Sequence, residues 1–204
     1  MKKTDKSDLS DPRLAAQVEF LVAADELKSV ERKNLLLSGA RRENAAEHSW
    51  HLTLLAMTFA EYAPREVNIG HVTRLLIVHD LVEVHAGDHW ELASDAKDVS
   101  WKESQAAEKL FGLLPDEQCE TIIALWLEFE ARETAEAKFA KALDALHPML
   151  LVWGPGGLGQ THVPLTAQQM KDLKKPYLVA YPALWRLAEQ LLDNAVRRGT
   201  LSDS

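Results

Sequence analysis

Apolar residues recur along the chain at helical spacing, and the polar residues that interrupt them are gathered into a few sharp breaks. Asp11-Pro12 opens a first helix that runs to about Leu27, with Leu14, Val18, Leu21, Val22 and Leu27 forming a face suited to packing. A second helix spans about Ala45 to Ala63, carries His48, His51, Leu52, Leu55 and Phe59 on one side, and ends at Pro64. In a third, Val67 to Ala86, apolar residues such as Leu75, Leu76, Ile77, Val78, Leu81, Val82 and Val84 surround most of the cylinder, so burial on nearly all sides is expected. Further helices are expected over Trp101–Leu114, from Pro115 past Phe129, and from Thr134 through Val152 with a bend or break at Pro148. A last one starts at the Thr166/Gln169 capping box and runs from Ala167 to about Ala195, with a break near Pro176 or Pro182. No strand-length alternation or internal repeat stands out. The pattern predicts an all-α fold: a flexible tail over residues 1–11, then a single domain over 12–200 with a Gly/Pro-rich loop at 154–166.

The third helix breaks its own pattern. Within LLIVHDLVEVHAGDHWE, the apolar run is interrupted by His79, Asp80 and Glu83, then by His85, Asp88 and His89. An unpaired polar group in such surroundings costs roughly 1–3 kcal/mol, and a bound cation would offset that cost. His79 and Glu83, four apart, share a helical face, and Gly87 supplies a position where the helix can stop. His48, in ENAAEHSWHLTLLAM, and Asp144, in AKFAKALDALHPMLLVW, each put an ionisable group on the apolar side of another helix. A core histidine bonded to a neighbouring carboxylate would explain any of these alone; together they can converge on one ion. His51, one turn from His48, reads as a supporting or packing group.

Charge narrows the partners. Lys and Arg number 23 against 31 Asp and Glu, a net charge of −8 that opposes binding to nucleic acid polymers or anionic membranes. An anionic substrate would need a local basic pocket, and residues 28–43 reverse the sign, with Lys28, Arg32, Lys33, Arg41 and Arg42 against Glu31 and Glu43. The lone Cys119 forms no internal disulfide, which suits a reduced, cytoplasmic protein. No apolar stretch follows the basic start and no run of about 18 apolar residues occurs, so neither export nor membrane spanning is expected. The loop GPGGLGQTHVP lacks a following Lys-Ser/Thr and a preceding strand, and reads as a flexible rim rather than a phosphate-binding loop.

The order His48, His79-Asp80, Asp144 resembles the metal-binding signature of the HD-domain phosphohydrolase superfamily. RRENAAEHS, HDLVEVHAGD and KALDAL are similar to the HD-domain 5′-deoxynucleotidases over about residues 25–150. The resemblance implies a helical bundle with a metal site between helices, where His48, His79, Asp80 and Asp144 bind one divalent ion: Co, Mn, Zn, Ni, Fe or Mg. Such an ion polarises a phosphoryl oxygen and lowers the pKa of bound water toward ~7. The resemblance further implies Glu83 and Asp88 as catalytic residues, Asp88 also lying near the sugar, and a phosphate-orienting Arg32, with Lys33 as the alternative. Asn34 and Leu35 stand where the family often has an aromatic. The implied activity is removal of the 5′-phosphate from nucleoside monophosphates, deoxyribonucleotides first, by a protein that touches neither polymer nor membrane; a homodimer is left open. The alternatives are hydrolysis of another small phosphate ester or diester, a di-iron oxygenase drawing on His85 and His89, and a silent nucleotide-binding module.

Overall fold

A computed structural model describes residues 9–88, 96–160 and 164–203. Helix α1 (Pro12–Ala24) begins where the Asp11 side chain accepts the N–H groups of Arg13 and Leu14, and a 3₁₀ turn over Asp25–Ser29 closes it. A short hairpin follows, β1 (Glu31–Leu35) antiparallel to β2 (Arg42–Asn44), with Glu31 opposite Asn44 and Leu35 opposite Arg42. The hairpin delivers the chain directly into α2 (Ala45–Thr58), where Asn44 and Glu47 form a reciprocal capping box. Then come α3 (Ile69–Val78), the single turn α4 (Glu83–Ala86), α5 (Ala96–Phe111) and α6 (Asp116–Ala131). The chain continues through α7 (Ala135–Trp153), α8 (Ala167–Leu178) and α9 (Pro182–Arg197).

Helix α7 is the axis. It touches α2, α3, α6, α8, α9 and β1, and Phe139, Leu143, Leu146 and Met149 along it are at most 1% exposed. Each such side chain contributes about 1.5–3 kcal/mol by leaving water. Thr134 caps the helix by accepting the Ala137 N–H at 3.1 Å. The expected break at Pro148 does not occur: α7 carries the proline to its end at Trp153. A proline removes the bond to the carbonyl four residues back and crowds that carbonyl, a cost that the dense packing of α7 on several sides offsets.

The expected all-helical architecture is present, with three local departures. The hairpin was not anticipated, because its inward positions carry Arg32 and Glu43 rather than apolar residues, and alternation is read from apolar residues. The long third helix is divided at His79–Val82, where N–H groups bond three residues back, Leu81 to Val78 and Glu83 to Asp80. Nor is that segment buried all round, since Ile77 is 49% exposed. On α1 only Phe20 is buried, whereas Leu14, Val18, Leu21 and Val22 face outward, so the expected packing face is reversed. The break in the last helical region falls just before Pro182, which starts α9, while Pro176 lies inside α8. Residues 1–8 of the expected tail and 161–163 of the loop lie outside the described residues. No helix among the described residues is long and apolar enough to cross a membrane.

Truncating the axis should be costly everywhere. Phe139→Ala is expected to lower unfolding free energy by about 3–5 kcal/mol in a denaturant titration of metal-free protein; a loss below about 1 kcal/mol would mean that α7 is not the packing centre.

Candidate metal centre

Three helical elements bring four donors together. His48, fully buried, sits on the first turn of α2; His79 ends α3, with Asp80 on the turn behind it; Asp144 projects from the middle of α7. His48, His79 and Asp80 offer ligand atoms that all lie within 4.8 Å of one another. Asp144 Oδ1 is 3.1 Å from His48 Nε2, and Asp80 Oδ1 is 3.0 Å from His79 Nε2.

The state of His79 tests whether this set suits a cation. Its Nδ1 lies 2.8 Å from the Leu76 carbonyl, which can only accept, so Nδ1 carries a proton, and in the neutral ring the lone pair is on Nε2. That buried Nε2 has no hydrogen-bond partner among the described residues, and it faces the Asp80 carboxylate. A lone pair turned toward a carboxylate is repulsive unless a positive charge stands between them. Two imidazole nitrogens and two carboxylates form the mixed set that borderline divalent ions accept, so the residues fit such an ion.

The division of the third helix changes which side chains share a face. Bonds to the third residue back eclipse positions three apart, which stacks Glu83 over Asp80 rather than over His79. Burial first, and the Asp80 carboxylate next, push the Glu83 carboxyl up to about 10. Burial alone would lower the Arg32 guanidinium, but Asp80, Asp144, Glu83 and Asp88 outweigh it and raise the pKa. Arg32 donates to Asp80 Oδ2 at 2.9 Å and lies 3.8 Å from Asp88 Oδ1. Burial would likewise raise Asp144, yet Lys141, 2.8 Å from its Oδ2, and His48 hold it well below the usual carboxylate range. His48 is kept well below its ordinary value by burial and by the Arg32 charge.

Of the residues expected at the site, His48, His79, Asp80, Glu83, Asp88, Asp144 and Arg32 are brought together. Lys33 is exposed, one strand position from the inward Arg32, and reaches the cavity rim. His85 is exposed, and His89 lies outside the described residues. Glu43, Lys141, His147, Trp126 and Trp153 also lie at the site and are not among the residues expected there. Buried Glu43 lies 3.6 Å from Arg32 Nε, and burial, partly opposed by Arg32, pushes it up to about 7. His147, one turn from Asp144, is fully buried, and burial followed by the His51 and Arg32 charges pushes it down to about 3. The signal for it was present, since a histidine in the apolar run ALHPMLL is the same anomaly that drew attention to Asp144.

A cavity of about 510 Å³ opens over the donors and extends between α6, α7 and α8. Its wall includes Trp126 and Trp153, whose buried indole N–H groups have no acceptor among the described residues. The chamber thus pairs a charged floor with an aromatic wall.

Residues 24–185 match the family model described as HD domain. A crystal structure of a predicted metal-dependent phosphohydrolase from Magnetospirillum magnetotacticum MS-1 is 45% identical, superposes with a TM-score of 0.85, and is covered completely by 94% of this chain. A conserved hypothetical protein from Pyrococcus furiosus, 20% identical with a TM-score of 0.63, shares the fold. The 5′-deoxynucleotidase HDDC2 of Xenopus laevis is 32% identical over 65% of this chain, and the human protein of that name 29% identical over the same share. The matched stretch spans 66% of the frog protein and 65% of the human one, just under two thirds of each.

Elemental analysis of protein purified with a divalent ion should find the metal in wild type and little in His79→Ala or Asp144→Ala. Stripping the ion should also lower the thermal midpoint, because a ligand at about 100 Kd adds about 2.7 kcal/mol. Unchanged metal content in both variants would place the ion elsewhere.

Proposed function

The chain belongs to the HD-domain family, and on that basis we propose that it is a divalent-metal-dependent phosphomonoesterase that removes the 5′-phosphate of deoxynucleoside monophosphates. The observation that carries this reading is the convergence of His48, His79, Asp80 and Asp144 beside the half-buried Arg32, with all of these but His48 lining one cavity. Relatives named 5′-deoxynucleotidase support the substrate class. A divalent ion held by His48, His79, Asp80 and Asp144 would supply Lewis acidity toward a phosphoryl oxygen and would activate water.

The chain's own groups divide the remaining work. Arg32 orients the phosphate, because a permanently charged guanidinium can meet two oxygens at once and neighbouring carboxylates hold it in the site. Glu83, half-buried and with a buried Oε2 that has no partner among the described residues, is the group best placed to hold or move a proton. Asp88, close to Arg32 at the cavity floor, contacts the sugar or the leaving oxygen. The Trp126 and Trp153 side chains in the cavity wall supply the apolar contact for a nucleobase that Asn34 and Leu35 do not. Cytoplasmic nucleotides are the expected pool, in keeping with the single free Cys119. The outward apolar residues of α1 give a second copy a surface to cover.

Phosphate release from a panel of nucleotides tests the assignment: deoxynucleoside 5′-monophosphates should be hydrolysed in preference to ribonucleotides and to bis(p-nitrophenyl) phosphate. Equal turnover of the diester, or of both sugars, would refute it. Arg32→Lys should raise KM, since an ammonium cannot copy the planar fork. Glu83→Gln should lower kcat by about 10²–10⁴ with metal content retained; wild-type kinetics in both variants would remove these roles.

A further inference from the structure

Behind the four donors, a row of three imidazoles runs from the buried His48 to the half-buried His51. His48 Nδ1 lies 3.1 Å from His147 Nδ1, and His147 Nε2 lies 2.9 Å from His51 Nδ1. The rings meet edge-on, with interplanar angles of 71° and 88°. At the outer end His51 stacks on the exposed Trp50. Glu43 flanks the row, but its oxygens are 3.6 Å from His48 Nδ1 and 3.8 Å from His147 Nε2, too far for hydrogen bonds.

A neutral imidazole has one N–H and one lone pair, and two facing nitrogens bond only when one of them carries the proton. Each ring therefore dictates the next. When His48 presents the Nε2 lone pair to a cation, its proton is on Nδ1 and is donated to His147 Nδ1. His147 then carries its proton on Nε2 and donates to His51 Nδ1. His48 Nε2 lies 3.1 Å from Asp144 Oδ1, and with no cation between the two atoms a carboxylate oxygen can only accept, so the proton belongs on Nε2. Every bond in the row then runs the other way.

We propose that His147 and His51 are positioning residues for the metal ligand His48, and that their row of hydrogen bonds reverses direction when a divalent ion binds. The proton displaced from His48 Nε2 is matched by one taken up at His51 Nε2, so the row keeps its charge. The inference rests on the metal-site reading of His48 but not on any substrate.

Glu43, His51 and His147 also offer three ligand atoms within 4.8 Å, which raises the question of a second ion. Ring chemistry opposes simultaneous occupancy. An ion on His147 Nε2 would put that ring's proton on Nδ1, oblige His48 Nδ1 to accept it, and leave His48 Nε2 protonated. The first site would lose a ligand.

Zinc titration of full-length protein with ¹⁵N-labelled histidines reads the ring tautomers directly. His147 is expected to pass from the Nδ1–H to the Nε2–H form at one equivalent of zinc, and His51 with it; a His147 tautomer that does not change overturns the proposal. Affinity supplies a second readout. His147→Leu should weaken zinc binding about 10–100-fold, whereas His147→Gln, whose side-chain oxygen can accept from His48 Nδ1, should restore most of it. Equal losses in both, no loss in either, or two zinc ions per chain with the second abolished by His51→Ala would each contradict it. Should either variant fail to fold, the wild-type tautomer measurement decides alone. Wild type that takes up no zinc overturns the proposal together with the metal reading, whereas wild type that binds zinc without hydrolysing nucleotides removes the substrate reading only.

Discussion

Negative charge and imidazole lone pairs are crowded together inside a helical core, and the rest of the architecture follows from how that crowding is relieved. His79 Nε2, bare and buried, faces Asp80; Asp144 abuts His48; Glu83 lies over the same turn. Desolvating such groups without compensation would cost several kcal/mol per ion. Part of the relief comes from Arg32 and Lys141, which bring positive charge to Asp80 and Asp144. A divalent ion completes it. On the proposed reading, binding free energy at such a site adds to folding free energy, so removal of one donor is expected to lower both metal affinity and stability.

The scaffold explains how these donors are held together. Helix α7 is packed against several other elements, so Asp144 has little freedom. The hairpin aims Arg32 and Glu43 inward from adjacent strands and leads straight into the capped start of α2, tying the guanidinium to the turn that carries His48. The tightened turn after α3 shifts Asp80 and Glu83 into register. Local backbone departures at the hairpin and at the HD turn are thus the places where the fold gives up regularity to orient polar groups.

Much of this could be read in the sequence, and the remainder was hidden for definable reasons. Helical periodicity marks the helices because each buries an apolar stripe, and the HD pair, His48 and Asp144 stand out as polar residues within such stripes. Periodicity is blind where the inward residues are themselves charged, which concealed the hairpin carrying Arg32 and Glu43. It also assumes that an apolar face is buried: the stripe on α1, Leu14, Val18, Leu21 and Val22, faces outward instead. The division of the third helix was not legible because i→i+3 and i→i+4 bonding share almost the same hydrophobic pattern. His147 carried a visible signal, whereas its contacts with His48 and His51 arise only when α2 and α7 pack.

The central claim is that His48, His79, Asp80 and Asp144 share one divalent ion. Anomalous diffraction from crystals grown with manganese addresses it without reference to turnover. The account predicts a strong anomalous peak within bonding distance of all four side chains, beside the Arg32 guanidinium. A crystal with no such peak, or with its only peak among Glu43, His51 and His147, would contradict it.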